Sequence, residues 1–255
     1  MVKSLKPLTF ALLLLFISLP ISTINAEESW YGPLDRDWSL RLIGGAFKPA
    51  IDTQFDGASS QQALPYQDFF GTQKPTLFTF GMERFLSNLG GGVSIGLSLG
   101  YWSVEGTLKS ASSDQTTSET TELVLYPLAL EASYYLDAFA HSFPLIPFAR
   151  IGADYCVWDI LDGAGETSAF VYETAEGTVE YEAFGATRGW HYSIGVQFLL
   201  DGLDAKTADA FERDAGVKNT YLGLEFKNAQ IDDLGSATSL RLGGKSVSFG
   251  LFIDL

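Results

Sequence analysis

Cysteine is almost missing from this 255-residue chain. Cys156 stands alone, so no intramolecular disulfide can form and no Cys-x-x-Cys metal or redox pair exists. Basic residues are scarce too. The 16 Lys and Arg face 31 Asp and Glu, a formal charge of −15. That balance argues against nucleic acid as a partner, because neutralising phosphates needs a basic surface. Beyond residue 26 no apolar run is long enough for a membrane-spanning helix. Any residence in a bilayer must then be as a closed barrel, the other arrangement that satisfies every peptide group. The chain also lacks HExxH, GxSxG and a Gly-rich phosphate cradle, so the commonest enzyme signatures are missing.

The first residues read as an export signal. Lys3 and Lys6 precede an apolar stretch from Leu8 to Ile21 that Pro7 and Pro20 flank, and Ser22-Thr23-Ile24-Asn25-Ala26 offers a small-residue cleavage site. The pattern predicts a signal peptide over residues 1–26 and one mature domain over 27–255. Glu27, not cysteine, stands directly after the cleavage site, so no lipoprotein anchor is expected.

What the chain has in abundance is alternation. Val247, Phe249, Leu251, Ile253 and Leu255 interleave with Ser246, Ser248, Gly250, Phe252 and Asp254. A period of two puts the bulky set on one face of a strand and the small set on the other. Seven further segments behave alike: Trp38–Phe47, Thr76–Phe85, Gly92–Ser103, Glu122–Leu136, Ile146–Trp158, Gly189–Leu200 and Thr220–Lys227. A water-facing strand surface would carry Lys, Glu or Thr. Ser and Gly suit a narrow barrel interior instead, with the greasy face toward lipid. A soluble barrel or sandwich with the apolar face inward is the structural alternative.

Connection lengths support the membrane reading. Residues 48–75, 104–121, 159–188 and 228–244 make long loops, whereas 86–91 and 137–145 make short turns. One connection, 201–217, is long on the short-turn side. Ala205 to Arg213 lacks Pro and Gly, and Gly216 can cap its end, so a short periplasmic helix is expected there. The first long loop, with Gln61-Gln62, Gln67 and Phe69-Phe70, reads as a polar surface segment, as does Ser110–Thr121.

The export signal, the eight segments, the loop asymmetry and the terminal Ser246–Leu255 strand together resemble the small eight-stranded outer-membrane barrels, the OmpA/OmpX-type and OmpW-like group. That likeness implies an all-β, eight-stranded antiparallel transmembrane barrel with a structural or interaction role and no catalysis, an OmpW-like carrier of small apolar molecules being the alternative. It implies outer-membrane lipids, including lipopolysaccharide, as surroundings. An extracellular or envelope protein is a further expected partner, the chain is expected to be a monomer, and no cofactor is implied.

Three groups of residues could carry chemistry. Arg41, Glu83, Glu131, Arg150, Asp154, Glu225 and Lys227 all fall on the small, inner face. In a barrel of this size they should pair and close the lumen rather than line an ion path. His191 and Ser193 share a strand face, where an imidazole can activate a hydroxyl for acyl transfer. The His-x-Ser spacing resembles that of lipid A deacylase barrels, making a lipid acyl hydrolase the catalytic alternative. Against it, the pair faces inward, no carboxylate lies near in sequence to orient the imidazole, and Ile194 stands where that group commonly has Asn. Finally, the 159–188 connection is acidic. Phe170-Val171-Tyr172 and Val179-Glu180-Tyr181 flank Ala175-Glu176-Gly177 as a hairpin, and Glu173, Glu176, Glu180 and Glu182 are weak candidates for Ca²⁺.

Overall fold

Where bulky and small residues alternate, the backbone runs as strands that close on one another. The computed structural model describes residues 34, 36–55, 64–88, 90–109, 116–138, 140, 143–174 and 177–255. The expected signal peptide and the start of the mature chain lie outside them. Strands β1 (Trp38–Ala46), β2 (Thr76–Asn88), β3 (Gly92–Lys109), β4 (Thr116–Tyr135) and β5 (Leu145–Leu161) are followed by a hairpin of β6 (Ala169–Thr174) and β7 (Gly177–Glu182). Strands β8 (Phe184–Leu199), β9 (Asn219–Ile231) and β10 (Gly244–Asp254) complete the chain.

Eight of these strands form a closed barrel in the order β1-β10-β9-β8-β5-β4-β3-β2. Every neighbouring pair is antiparallel. The hairpin β6–β7 stands apart as its own two-stranded sheet, where the acidic connection was expected to turn back on itself. Closure joins the first strand to the last, with Leu42 opposite Leu251 and Ala46 opposite Val247, leaving no free edge in the wall.

The two faces of the wall differ sharply in exposure and chemistry. Leu42, Phe249 and Ile194 are 59%, 58% and 57% exposed, and Phe78, Phe80, Leu97, Leu99, Leu130, Ile151 and Leu224 also point outward. The charged and small residues point inward. Gly81 is needed there because a Cβ would lie 2.6 Å from Cζ of Arg41. The small face of each strand thus makes room for a few large lumen side chains.

A short helix, α1 (Pro65–Phe70), lies at the long-loop end, and helix α2 (Ala205–Ala215) at the short-turn end. Asp204 caps α2 by accepting from the Thr207 amide, and Gly216 ends it in the left-handed conformation (φ 72°). Its main packing is against the preceding turn Asp201–Leu203 rather than against any strand. At the long-loop end the first connection corrects the expectation of a wholly polar surface segment. A 3-10 turn (Ile51–Phe55) and helix α1 (Pro65–Phe70) fold over the mouth, burying Tyr66 and Phe70 against Trp102, Phe47, Val104 and Leu123. Gln67 and Phe69 stay exposed, and Gln61-Gln62 lies outside the described residues. Aromatic and aliphatic burial over the barrel mouth outweighs the polarity of the flanking Gln and Asp.

Candidate functional site

The lumen is organised in three layers. The central one gathers charge from five strands. On β1 Arg41 pairs with Glu131 of β4, and its other terminal nitrogen is 3.7 Å from Glu83 of β2. Arg150 of β5 donates to Glu225 of β9 at 2.5 Å, to Glu83 at 3.3 Å and to Ser133 Oγ at 2.9 Å. Further donors complete the carboxylates: Ser94 and the Tyr135 hydroxyl serve Glu83, both at 2.5 Å, and Ser98 serves Glu131 at 3.0 Å. Every one of these charged side chains is buried. A charge taken from water this completely stays ionised only among opposite charges and donors, which this layer supplies.

His191 of β8 joins the same layer. Its Nδ1 lies 2.8 Å from Asp154 Oδ2 and its Nε2 lies 3.4 Å from Glu131 Oε1. Lys227 Nζ lies 3.5 Å from the other Asp154 oxygen. The orienting carboxylate that sequence proximity did not offer is therefore Asp154, 37 residues away and brought in through the β5–β8 pairing. Both imidazole nitrogens face carboxylates, not Ser193. The Ser193 hydroxyl is buried and has no hydrogen-bond partner among the described residues. With His191 at 0% exposure and Ser193 buried, the pair is closed off from the outer face of the wall.

The layer at the short-turn end was not anticipated. Arg36, just before β1, reaches 3.2 Å from Asp254 and 3.6 Å from Asp137. Its guanidinium lies 5.1–5.2 Å from the ring centres of Phe85, Tyr135 and Tyr221. Tyr221 donates to Asp254 at 2.6 Å, and the Gly92 amide donates to Asp137 at 3.1 Å. Arginine suits such a cage because its planar cation stacks on aromatic faces while bonding carboxylates at its rim. The only sequence signal was a lone Arg before the first alternating segment.

The third layer is apolar and lies beneath α1. Trp102 packs edge-on to Phe47 at 5.9 Å and donates to the Pro75 carbonyl at 3.2 Å. Tyr66 donates to the Gln73 carbonyl at 2.8 Å, and burial, with Asp52 nearby, pushes its phenol up to about 12. A cavity of about 30 Å³ remains between this cap and the charges, lined by Leu77, Leu125, Pro127 and Cys156 among others. Such a volume holds a water or two, not a solute.

In the acidic connection, Asp162 accepts from the amides of Ala164 (2.9 Å) and Glu166 (3.0 Å), so it shapes its own turn. Glu182 is exposed at the end of β7. The side chains of Glu173 and Glu180, and all of Glu176, lie outside the described residues. Among the described residues no group of three or more His, Cys, Asp or Glu is placed to hold a metal ion.

No family profile and no curated protein matches the sequence. Solved structures of similar shape include Neisserial surface protein A, with 10% identity, 86% of this chain and 96% of that one covered, and a TM-score of 0.45. The outer membrane protein OprG of Pseudomonas aeruginosa gives 11% identity, 88% and 98% coverage and a TM-score of 0.41. The N-terminal β-barrel domain of OprF from the same organism gives 9% identity, 86% and 98% coverage and 0.39. At this level of identity and superposition, likeness assigns no role to any residue. The chain's own class is set by its strands: an all-β, eight-stranded, closed antiparallel barrel, as the sequence pattern implies.

Proposed function

We propose that this protein is an integral barrel of a bacterial outer membrane, with a structural or interaction role and no catalytic one. One observation carries the reading: large apolar side chains cover the outside of a barrel whose inside is charged. In water that distribution is inverted and costly; in hydrocarbon it is the stable one. On β4 the outward run from Tyr126 to Tyr134 passes Leu128 and Leu130, roughly 26 Å along the strand at the usual strand rise. Tyr126 packs on Tyr101 of β3 at 5.7 Å, as interfacial aromatics do at the edge of an apolar band.

In this reading the short turns and α2 are periplasmic, and the long loops, the β6–β7 hairpin and the acidic segment face outward. Lipids, lipopolysaccharide among them, surround a monomeric barrel, and the loops are offered to an extracellular or envelope protein. The buried layer of Arg41, Arg150 and their carboxylates supports a sealed lumen over an ion path or an apolar carrier route through the axis. The engagement of His191 by Asp154 and Glu131 supports a structural role over acyl hydrolysis.

Refolding into phospholipid vesicles tests this. The folded form should insert, resist alkaline extraction and migrate differently on gels before and after boiling. A chain that stays in the aqueous phase without detergent would refute the membrane reading. Steady large single-channel currents in planar bilayers would refute the sealed lumen.

A further inference from the structure

Ala46 of β1 lies opposite both Thr76 of β2 and Val247 of β10. The next outward position on each strand, moving toward the long-loop end, is Lys48, Lys74 and Lys245. The Phe47 amide continues the ladder to the Pro75 carbonyl at 3.0 Å, which keeps Lys48 level with Lys74. Three lysines from neighbouring strands therefore share one register level. With Ala46, Phe226 and Val247 they line a cleft of about 280 Å³ on the outer wall.

Like charges side by side across strands are destabilising. Lys48 is offset by Asp52, 2.8 Å away, and lies 4.8 Å from the Tyr66 ring centre. Lys74 and Lys245 are exposed and have no ion pair among the described residues. In a chain of charge −15, this local excess of cations is out of keeping with the rest of the surface. Directly below it the wall is apolar, with Val247 56% exposed. A ligand satisfying both halves is anionic at one end and hydrocarbon at the other.

We propose that this cleft binds a phosphorylated lipid of the outer leaflet. Its phosphate sits among Lys48, Lys74 and Lys245, and an acyl chain runs down over Ala46, Phe226 and Val247. Lysine suits the task, since its stem lies along apolar surface while the ammonium reaches the headgroup level. The site rests on the membrane reading and continues its apolar band upward into charge.

The test uses the full chain folded in detergent micelles and in vesicles. Native mass spectrometry would measure retention of lipid A, of its dephosphorylated counterpart, and of lipid A in competition with inorganic phosphate. The wild type should retain lipid A roughly tenfold or more over the dephosphorylated form. Lys74→Gln with Lys245→Gln should abolish that preference, and Lys206→Gln on α2 should leave it unchanged. Preference surviving the double substitution overturns the site; so does displacement of the lipid by millimolar inorganic phosphate, which marks a bare anion site. Insertion into vesicles is scored on the same samples. A chain that inserts but shows no phosphate preference overturns this site alone, whereas failure to insert overturns the membrane reading with it.

Discussion

Arg150→Met removes the cation on which three carboxylates of the central layer converge. Arg150 donates to Glu225 at 2.5 Å and to Glu83 at 3.3 Å, with Glu131 3.7 Å away. Each charge-assisted hydrogen bond contributes about 1.5–3 kcal/mol, so losing the first two costs about 3–6 kcal/mol. Breaking a buried ion pair from one side, which strands a charge, independently costs about 3–5 kcal/mol. Against a total stability on the order of 5–15 kcal/mol, that is a large loss. Adding Glu225→Gln removes one stranded charge and should restore roughly 0.5–3 kcal/mol, the range for residues in direct contact. Urea unfolding of the vesicle-inserted chain, followed by Trp emission and gel mobility, measures both. A cost for Arg150→Met below about 1 kcal/mol, the size of an exposed pair, would mean that water screens these charges and the lumen is not sealed.

Ser193→Ala should change stability by less than about 1 kcal/mol in either direction, because the buried hydroxyl has no partner among the described residues to lose. Lipid acylation should be identical with and without the Ser193 hydroxyl; a profile that depends on it would revive the hydrolase. Gly81→Ala drives a Cβ to 2.6 Å from Cζ and 2.7 Å from Nε of Arg41, so overpacking should cost about 1–3 kcal/mol and lower the temperature of the gel-mobility shift. An unchanged transition would show slack around Arg41. At α2, the Thr207 hydroxyl (2.7 Å) and amide (3.3 Å) hold the Asp204 carboxyl below its ordinary range. A depressed folded value means the cap is fully present above the unfolded Asp value of about 3.9 and is lost as pH falls through the lower, folded one. The Thr207 amide shift in NMR should titrate in that acid window, and a midpoint above the ordinary Asp value would contradict the capping bond.

Much of the candidate site could be assigned to a face without being assigned to a partner. The period of two placed Arg41, Glu83, Glu131, Arg150, Asp154, Glu225 and Lys227 inside, because parity along a strand is a local property. It could not say that Arg41 meets Glu131, 90 residues away, since their relative height depends on how each strand slides against the next. Asp154 escaped notice as the partner of His191 for the same reason. Arg36 and α1 were missed because neither lies in an alternating segment. Arg36 works through a cage of three rings from separate parts of the chain, and α1 through two aromatics in an otherwise polar loop.

Alternation, turn composition and loop lengths, all short-range features, determined that the chain makes eight barrel strands with one greasy and one small face and ends its odd connection in a capped helix. Tertiary structure alone decided which charges neutralise one another, what stoppers each end of the lumen, and that Lys48, Lys74 and Lys245 share a level. Closure of the barrel is the physical reason. Joining β1 to β10 allows one stagger for the whole wall, and only that stagger converts eight known faces into particular contacts.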